Sequence, residues 1–201
     1  MREVPWWGVL SSAAAPVLLV GGWTVAAALQ PGSFDQVTGT ISALAARGAA
    51  DRWVMTAAFL AVGACHLVTG LALRPAGPAG RLALMTGGAA TVAVAANPVT
   101  VSGPGSLPHT LAAAVAFLSL ASWPALGRRP GPAVPPALRP GACAAATAAL
   151  LGLLGWFYLE LSAGGGQLGL AERVAAGAQA LWPLAVVLSC RKQARGRAPV
   201  S

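Results

Sequence analysis

Residues 82–127 read LALMTGGAATVAVAANPVTVSGPGSLPHTLAAAVAFLSLASWPALG, from Arg81 to Arg128 without one Asp, Glu, Lys or Arg. A helix needs about 20 apolar residues to cross the hydrocarbon core of a bilayer, and about 17 still suffice. The stretch is too long for one crossing and long enough for two. It divides where turn residues gather, at Asn97-Pro98 and in the run from Ser102 to Pro108.

Working outward, four more uncharged runs flank this one, at 4–34, 53–73, 140–159 and 174–190. The spacing of charges therefore predicts six spans, approximately 8–29, 53–73, 82–97, 109–126, 141–160 and 174–190. The third and sixth are short for a crossing. Residues 36–46, with Val37, Ile41 and Leu44 at helical spacing, are expected to form a short interfacial helix. The fold class expected is all-α: an integral membrane six-transmembrane-helix bundle. It forms a single membrane domain over residues 1–201, with 191–201 as a basic cytoplasmic tail.

Composition agrees. Hydrophobic residues make up 56% of the 201 and charged residues 9%, with mean hydropathy +0.69. A soluble domain carries about 25% charged residues, so these values exclude an ordinary soluble enzyme, a disordered chain and a nucleic-acid-binding domain. The 25 glycines and 16 prolines suit a tightly packed membrane bundle, where small residues let helices approach closely. No alternating ten-residue segments of the kind a membrane β-barrel requires occur.

The basic residues set an expected orientation. Arg2, Arg74, Arg81, Arg128, Arg129, Arg139, Arg191, Lys192, Arg195 and Arg197 fall on the face of the termini, and only Arg47, Arg52 and Arg173 on the other. Asp35, Asp51, Glu160 and Glu172 join the second set and Glu3 the first. The formal charge of +8 thus resolves into 10 − 1 = +9 on one face and 3 − 4 = −1 on the other. The positive-inside rule places both termini in the cytoplasm, with the protein multi-pass in a bacterial plasma membrane. The basic tail and the Pro-rich segment 128–140 follow from this topology and anionic lipid, with no nucleic-acid partner implied. The first span is longer than a signal-peptide core and begins at Trp6-Trp7, so it is expected to be retained. Cys65, Cys143 and Cys190 lie on the reducing side and are expected to pack rather than pair.

Chemistry-bearing residues are few. His66 sits about 20 Å below the outer end of the second span and His109 at the outer surface, so the two cannot share a metal or a haem. No metal and no cofactor is expected. His66 is expected to bond a neighbouring carbonyl or Thr69. No charge falls at the midplane, which disfavours ion-coupled transport, and any transport requires a polar path deepening from the outer loops toward His66. Polar groups concentrate instead on the outer loops. Asp35, Thr40 and Ser42 lie in the first, Asn97, Ser102, Ser106 and His109 in the second, and Glu160, Glu172 and Arg173 in the third. The ligand-binding candidates are Asp35, Thr40, Ser42, Asn97, Ser106, His109, Glu172 and Arg173. Several also have plainer roles: Asp35 as a cap, Glu172 at a helix amino terminus, and Arg173 paired with Glu172 or Glu160.

Pro31-Gly32, then Thr40-Ile41-Ser42-Ala43-Leu44, then Trp53-Val54-Met55, resemble the bacterial membrane family called domain of unknown function 998. The resemblance continues with Gly105-Ser106-x-x-His109 and Gly169-Leu170-x-Glu172-Arg173, and covers roughly residues 10–190. It implies one six-helix membrane domain and no assigned activity. It also implies an acid immediately before Thr-Ile-Ser, where this chain has Gly39, with Asp35 one helical turn away.

The reading favoured is a non-enzymatic protein that binds or moves a lipid-like or uncharged small molecule through a polar outer-face pocket. One alternative is an outer-face hydrolase or transferase using Ser42 or Ser106 with His109 and Glu172 or Asp35. Another is a structural or partner subunit without ligand, packing through Gly141-x-x-x-Ala145 and Gly152-x-x-Gly155. The expected partners are membrane lipid, a small hydrophobic ligand and, through those small faces, a helix-mediated oligomer.

Overall fold

In the computed structural model, which describes residues 3–100 and 105–196, the chain is helical throughout. The long helices are α1 (Trp6–Ala28), α3 (Trp53–Ala72), α4 (Pro78–Ala96), α5 (Leu107–Gly127), α6 (Pro140–Ala163) and α7 (Leu168–Arg195). Each is long and apolar enough to span a membrane. The seventh, α2 (Ile41–Leu44), is a single turn, and a 3-10 turn occupies Pro136–Leu138.

All six expected spans are present, and their boundaries differ where a charge finds a partner inside the protein. Helix α4 begins before Arg81, with Pro78 in its first turn, where a missing N–H costs nothing. Arg81 does not end the span because its guanidinium turns back onto α3: Nε donates to Gly70 O at 2.8 Å and Nη2 to Leu71 O at 3.2 Å. Those carbonyls belong to the last turn of α3, which otherwise lacks partners. Helix α6 passes Glu160 and ends at Gly164, whose φ of 61° is left-handed and suits glycine. Helix α7 starts six residues earlier than the charge-free run, so Glu172 and Arg173 lie inside it, and it continues through Arg195 into the expected tail. The interfacial helix expected over 36–46 shrinks to α2, capped by Thr40 Oγ1, which accepts from the Ala43 N–H at 3.1 Å. Residues 36–39 form a turn instead.

The long helices form a ring in chain order, α1–α3–α4–α5–α6–α7, closed by α7 against α1. Val4, Leu73, Ala76, Val134, Leu138 and Cys190 cluster at one end, around the fully buried Trp123. The start of α1 and the end of α7 therefore lie at that end. A second apolar cluster, with Leu19, Ile41, Leu44, Met55 and Phe59, fills the opposite end beneath the first connecting loop. There, Arg47 N–H donates to Val99 O at 2.7 Å and ties the first connection to the second.

Helices α3, α4 and α5 pack through glycines. A Cβ on Gly63 would lie 2.6 Å from Gly88 O, and one on Gly87 2.6 Å from Leu120 Cγ. Helix α6 is the least buried of the six, and nothing stands within 4 Å of a Cβ built on Gly141, Gly152 or Gly155. The small faces of α6 thus meet no other helix of this chain. Gly63→Ala is expected to force α3 from α4 and to destabilise the bundle by about 1–3 kcal/mol. Gly152→Ala stays within about 0.5 kcal/mol of the native protein. Reversible unfolding in mixed micelles measures both.

Candidate ligand-binding site

The site is assembled where the first loop folds across the end of the bundle onto α7. Gly169 permits the approach, because a Cβ there would collide with Gly39 O. The Leu170 N–H then donates to Val37 O at 2.9 Å. Arg173, 7% exposed, reaches beneath the loop, and its Nη1 donates to the carbonyls of Gln36 (2.8 Å), Gly39 (2.7 Å) and Gly169 (2.9 Å). Its guanidinium lies 5.9 Å from the ring centroids of both Trp23 and Phe34, a cation–π position on each side. The pairing expected with Glu172 or Glu160 is replaced by these carbonyls.

Glu172, 5% exposed, holds the next piece of the same loop. Its Oε2 accepts from the Ile41 N–H and its Oε1 from the Ser42 hydroxyl at 3.4 Å. Ile41 N–H is a first-turn donor of α2, without a partner in its own helix. The carboxylate therefore satisfies a backbone group while sitting in the bundle.

Beside this joint lies a cavity of about 1160 Å³ between the loops, α5 and α6. Its walls are apolar, with Leu118, Leu151, Leu154 and Leu161 among them. Phe117 and Phe157 meet across α5 and α6 with ring centroids 5.3 Å apart. Leu118, Leu151, Tyr158 and Leu161 line it and are exposed, so the cavity opens sideways between the two helices. Its polar end carries Thr40, Ser42, His109 and Glu172.

These four are the candidates that the fold brings together. His109, 8% exposed, donates from Nδ1 to Asn97 O at 2.9 Å, because a carbonyl can only accept. That fixes the tautomer and leaves Nε2 as an acceptor. The other four candidates line no part of the cavity. Ser106 caps α5, its hydroxyl accepting from the His109 N–H at 3.4 Å. Asn97 Nδ2 folds back to Ala93 O at 2.9 Å. Asp35 is exposed and accepts from Val37 N–H (2.8 Å) and the Thr38 hydroxyl (2.9 Å), bonds that hold its carboxyl below its ordinary value. Arg173 is the clasp already described. Ser102 lies outside the described residues.

A family model described as "Protein of unknown function (DUF998)" matches residues 13–189. The chain belongs to this family. No curated protein and no solved structure matches it. Within the matched residues of this DUF998 chain, Thr40, Ser42, His109 and Glu172 form the polar end of the cavity.

Four polar residues buried within spans escaped notice in the sequence, Ser11, Ser12, Thr91 and Gln179, of which the last two lie near the site. An amide inside an apolar run was the available signal for Gln179. Arg173→Met leaves the three carbonyls without the one nitrogen, Nη1, that serves all of them. Amide hydrogen exchange across residues 36–41 is expected to rise about tenfold or more, the equivalent of one charge-assisted hydrogen bond. Asp35→Ala leaves Ile41 protected by Glu172.

Proposed function

We propose that this protein binds an amphipathic, lipid-like molecule in the cavity between α5 and α6, its polar head against Ser42, His109 and Glu172. The single observation that carries the reading is the cavity's division into a polar end and long apolar walls open toward the membrane. Ligand sites of drug-sized molecules occupy about 300–1,000 Å³, and this one is larger. The head chemistry that fits is uncharged or donor-bearing. Glu172 and His109 Nε2 accept, and no Arg or Lys of the described residues lines the cavity.

The distribution of basic residues supports termini in the cytoplasm of a bacterial plasma membrane, with the cavity toward the outer leaflet. Binding has more support than catalysis. The Ser42 hydroxyl donates to Glu172, Ser106 caps a helix, and the bonded nitrogen of His109 faces a backbone carbonyl. None of these arrangements activates a nucleophile, which needs a base within about 3.2 Å. A second reading, an oligomer through α6, is supported by the exposed Gly141, Ala145, Ala148 and Gly152 along one side of that helix.

Native mass spectrometry of the protein ejected from micelles tests the first reading. One amphiphile class is expected to co-purify in a one-to-one complex. Ala114→Trp, which fills the cavity from an exposed position on α5, abolishes it. His109→Ala weakens it about tenfold, as loss of one hydrogen bond would. A lipid profile equal to that of the bulk membrane, unchanged by Ala114→Trp, overturns the assignment.

A further inference from the structure

Below the cavity lies a second, smaller space of about 60 Å³. Ser42, Ala113, Phe117 and Glu172 line both and form the partition between them. From this partition the chamber descends to Thr91 on α4, Gln179 on α7 and His66 on α3, all buried. Gln179 lies seven residues beyond Glu172 on α7, about 10 Å along the helix.

The polar groups here have spare capacity. Thr91 donates to Gly87 O at 2.8 Å and Gln179 Nε2 to Phe117 O at 3.1 Å, which leaves a hydroxyl oxygen and an amide oxygen free to accept. His66, 1% exposed, has no hydrogen-bond partner at Nδ1. The bond expected from Thr69 does not form, because the Thr69 hydroxyl pairs with Ser11 Oγ at 2.8 Å. A mostly apolar space of this volume into which three buried polar side chains bring unused hydrogen-bonding capacity is a setting that can hold internal water.

We propose that the chamber is a hydrated proton-binding site in which Glu172 and His66 share one proton through trapped water. In the transfer the Glu172 carboxyl O–H breaks and its proton passes to water. Another proton of the water chain forms the N–H bond at His66 Nδ1, leaving carboxylate and imidazolium. The reverse step restores carboxylic acid and neutral imidazole, and the pair's net charge is zero in both states. Of the residues that line the chamber from α1 to α5 and α7, only Glu172 and His66 titrate. Arg173 neighbours Glu172 but is turned to three carbonyls, and Asp35 is exposed on the loop.

Among the described residues, no hydrogen-bonded path continues below His66. One turn further along α3, Thr69 bonds Ser11, and Ser11 donates to Gly8 O at 3.2 Å, an acceptor that passes no proton on. Protons therefore enter and leave on the cavity side, past Ser42 and Glu172. The proposal does not depend on which molecule occupies the cavity above.

Nitrogen-15 histidine spectra of the full-length protein in nanodiscs test this, since His66→Gln assigns the signals of only two histidines. Water-proton cross-peaks to the His66 ring are expected. Glu172→Gln, which removes the compensating carboxylate, is expected to lower the imidazolium fraction of His66 about tenfold at a given pH. A ring without water contact overturns the proposal, and so does a titration unchanged by Glu172→Gln. If that variant fails to fold, the infrared carboxyl band of Glu172 is compared between the native protein and His66→Gln. A displaced band supports the shared proton, and an identical band overturns it.

Discussion

Two consecutive side chains on α7 hold the first loop across the bundle, and the cavity depends on them. Arg173 gathers three carbonyls of the approaching backbone, and Glu172 takes the N–H that opens α2. Neighbouring residues on a helix point about 100° apart, so the pair grips two different pieces of one loop. Buried ions are costly unless bonded; here Glu172 and Arg173 Nη1 face backbone groups of complementary polarity, while Arg173 Nε and Nη2 make no hydrogen bond and the guanidinium lies against Trp23 and Phe34. Anchoring removes a loss from both partners at once. Without it, Ile41 and Leu44 lose their place in the apolar cluster below, and the polar end of the cavity loses its ceiling.

The position of the cavity follows from unequal packing around the ring. Helices α3, α4 and α5 approach closely through Gly63, Gly87, Gly88 and Gly80, where an added Cβ would clash. On the other side of α5, bulky Phe117 and Phe157 meet between the helices, and no atom stands within 4 Å of a Cβ built on Gly152 or Gly155 of α6, the second of which lines the cavity. Small residues at one interface and aromatic rings at the next turn a closed ring into one with a lateral opening.

The number of crossings was legible in the sequence because charge is rare and an isolated charge in lipid is costly. The same rule misplaced α4 and α7 for one physical reason. Arg81, Glu172 and Arg173 are satisfied by backbone groups inside the protein, so they do not mark the bundle's edge. Of the site, Thr40, Ser42, His109 and Glu172 were legible as outer polar residues that the fold brings to one cavity. Asp35, Asn97 and Ser106 share that character but spend it on local turns and caps, a choice set by backbone geometry rather than by residue type. The chamber was not legible, since Thr91, Gln179 and His66 come from three helices and nothing in their separate positions brings them together.

The acid that the family resemblance implies before Thr-Ile-Ser has no substitute in Asp35. A Cβ on Gly39 would lie 2.5 Å from Phe34 Cζ and 2.8 Å from Asp35 O, so this loop closes only with glycine there. The tight turn that excludes an acid at 39 also brings Gly39 O to the Arg173 guanidinium and seats Phe34 beside it. Asp35 stabilises that turn from the solvent side, through Val37 and Thr38. The carboxylate facing Ser42 and the cavity comes instead from Glu172, across the bundle on another helix. With glycine at 39 the loop packs directly against α7, and among the described residues Glu172 is the only carboxylate lining the cavity.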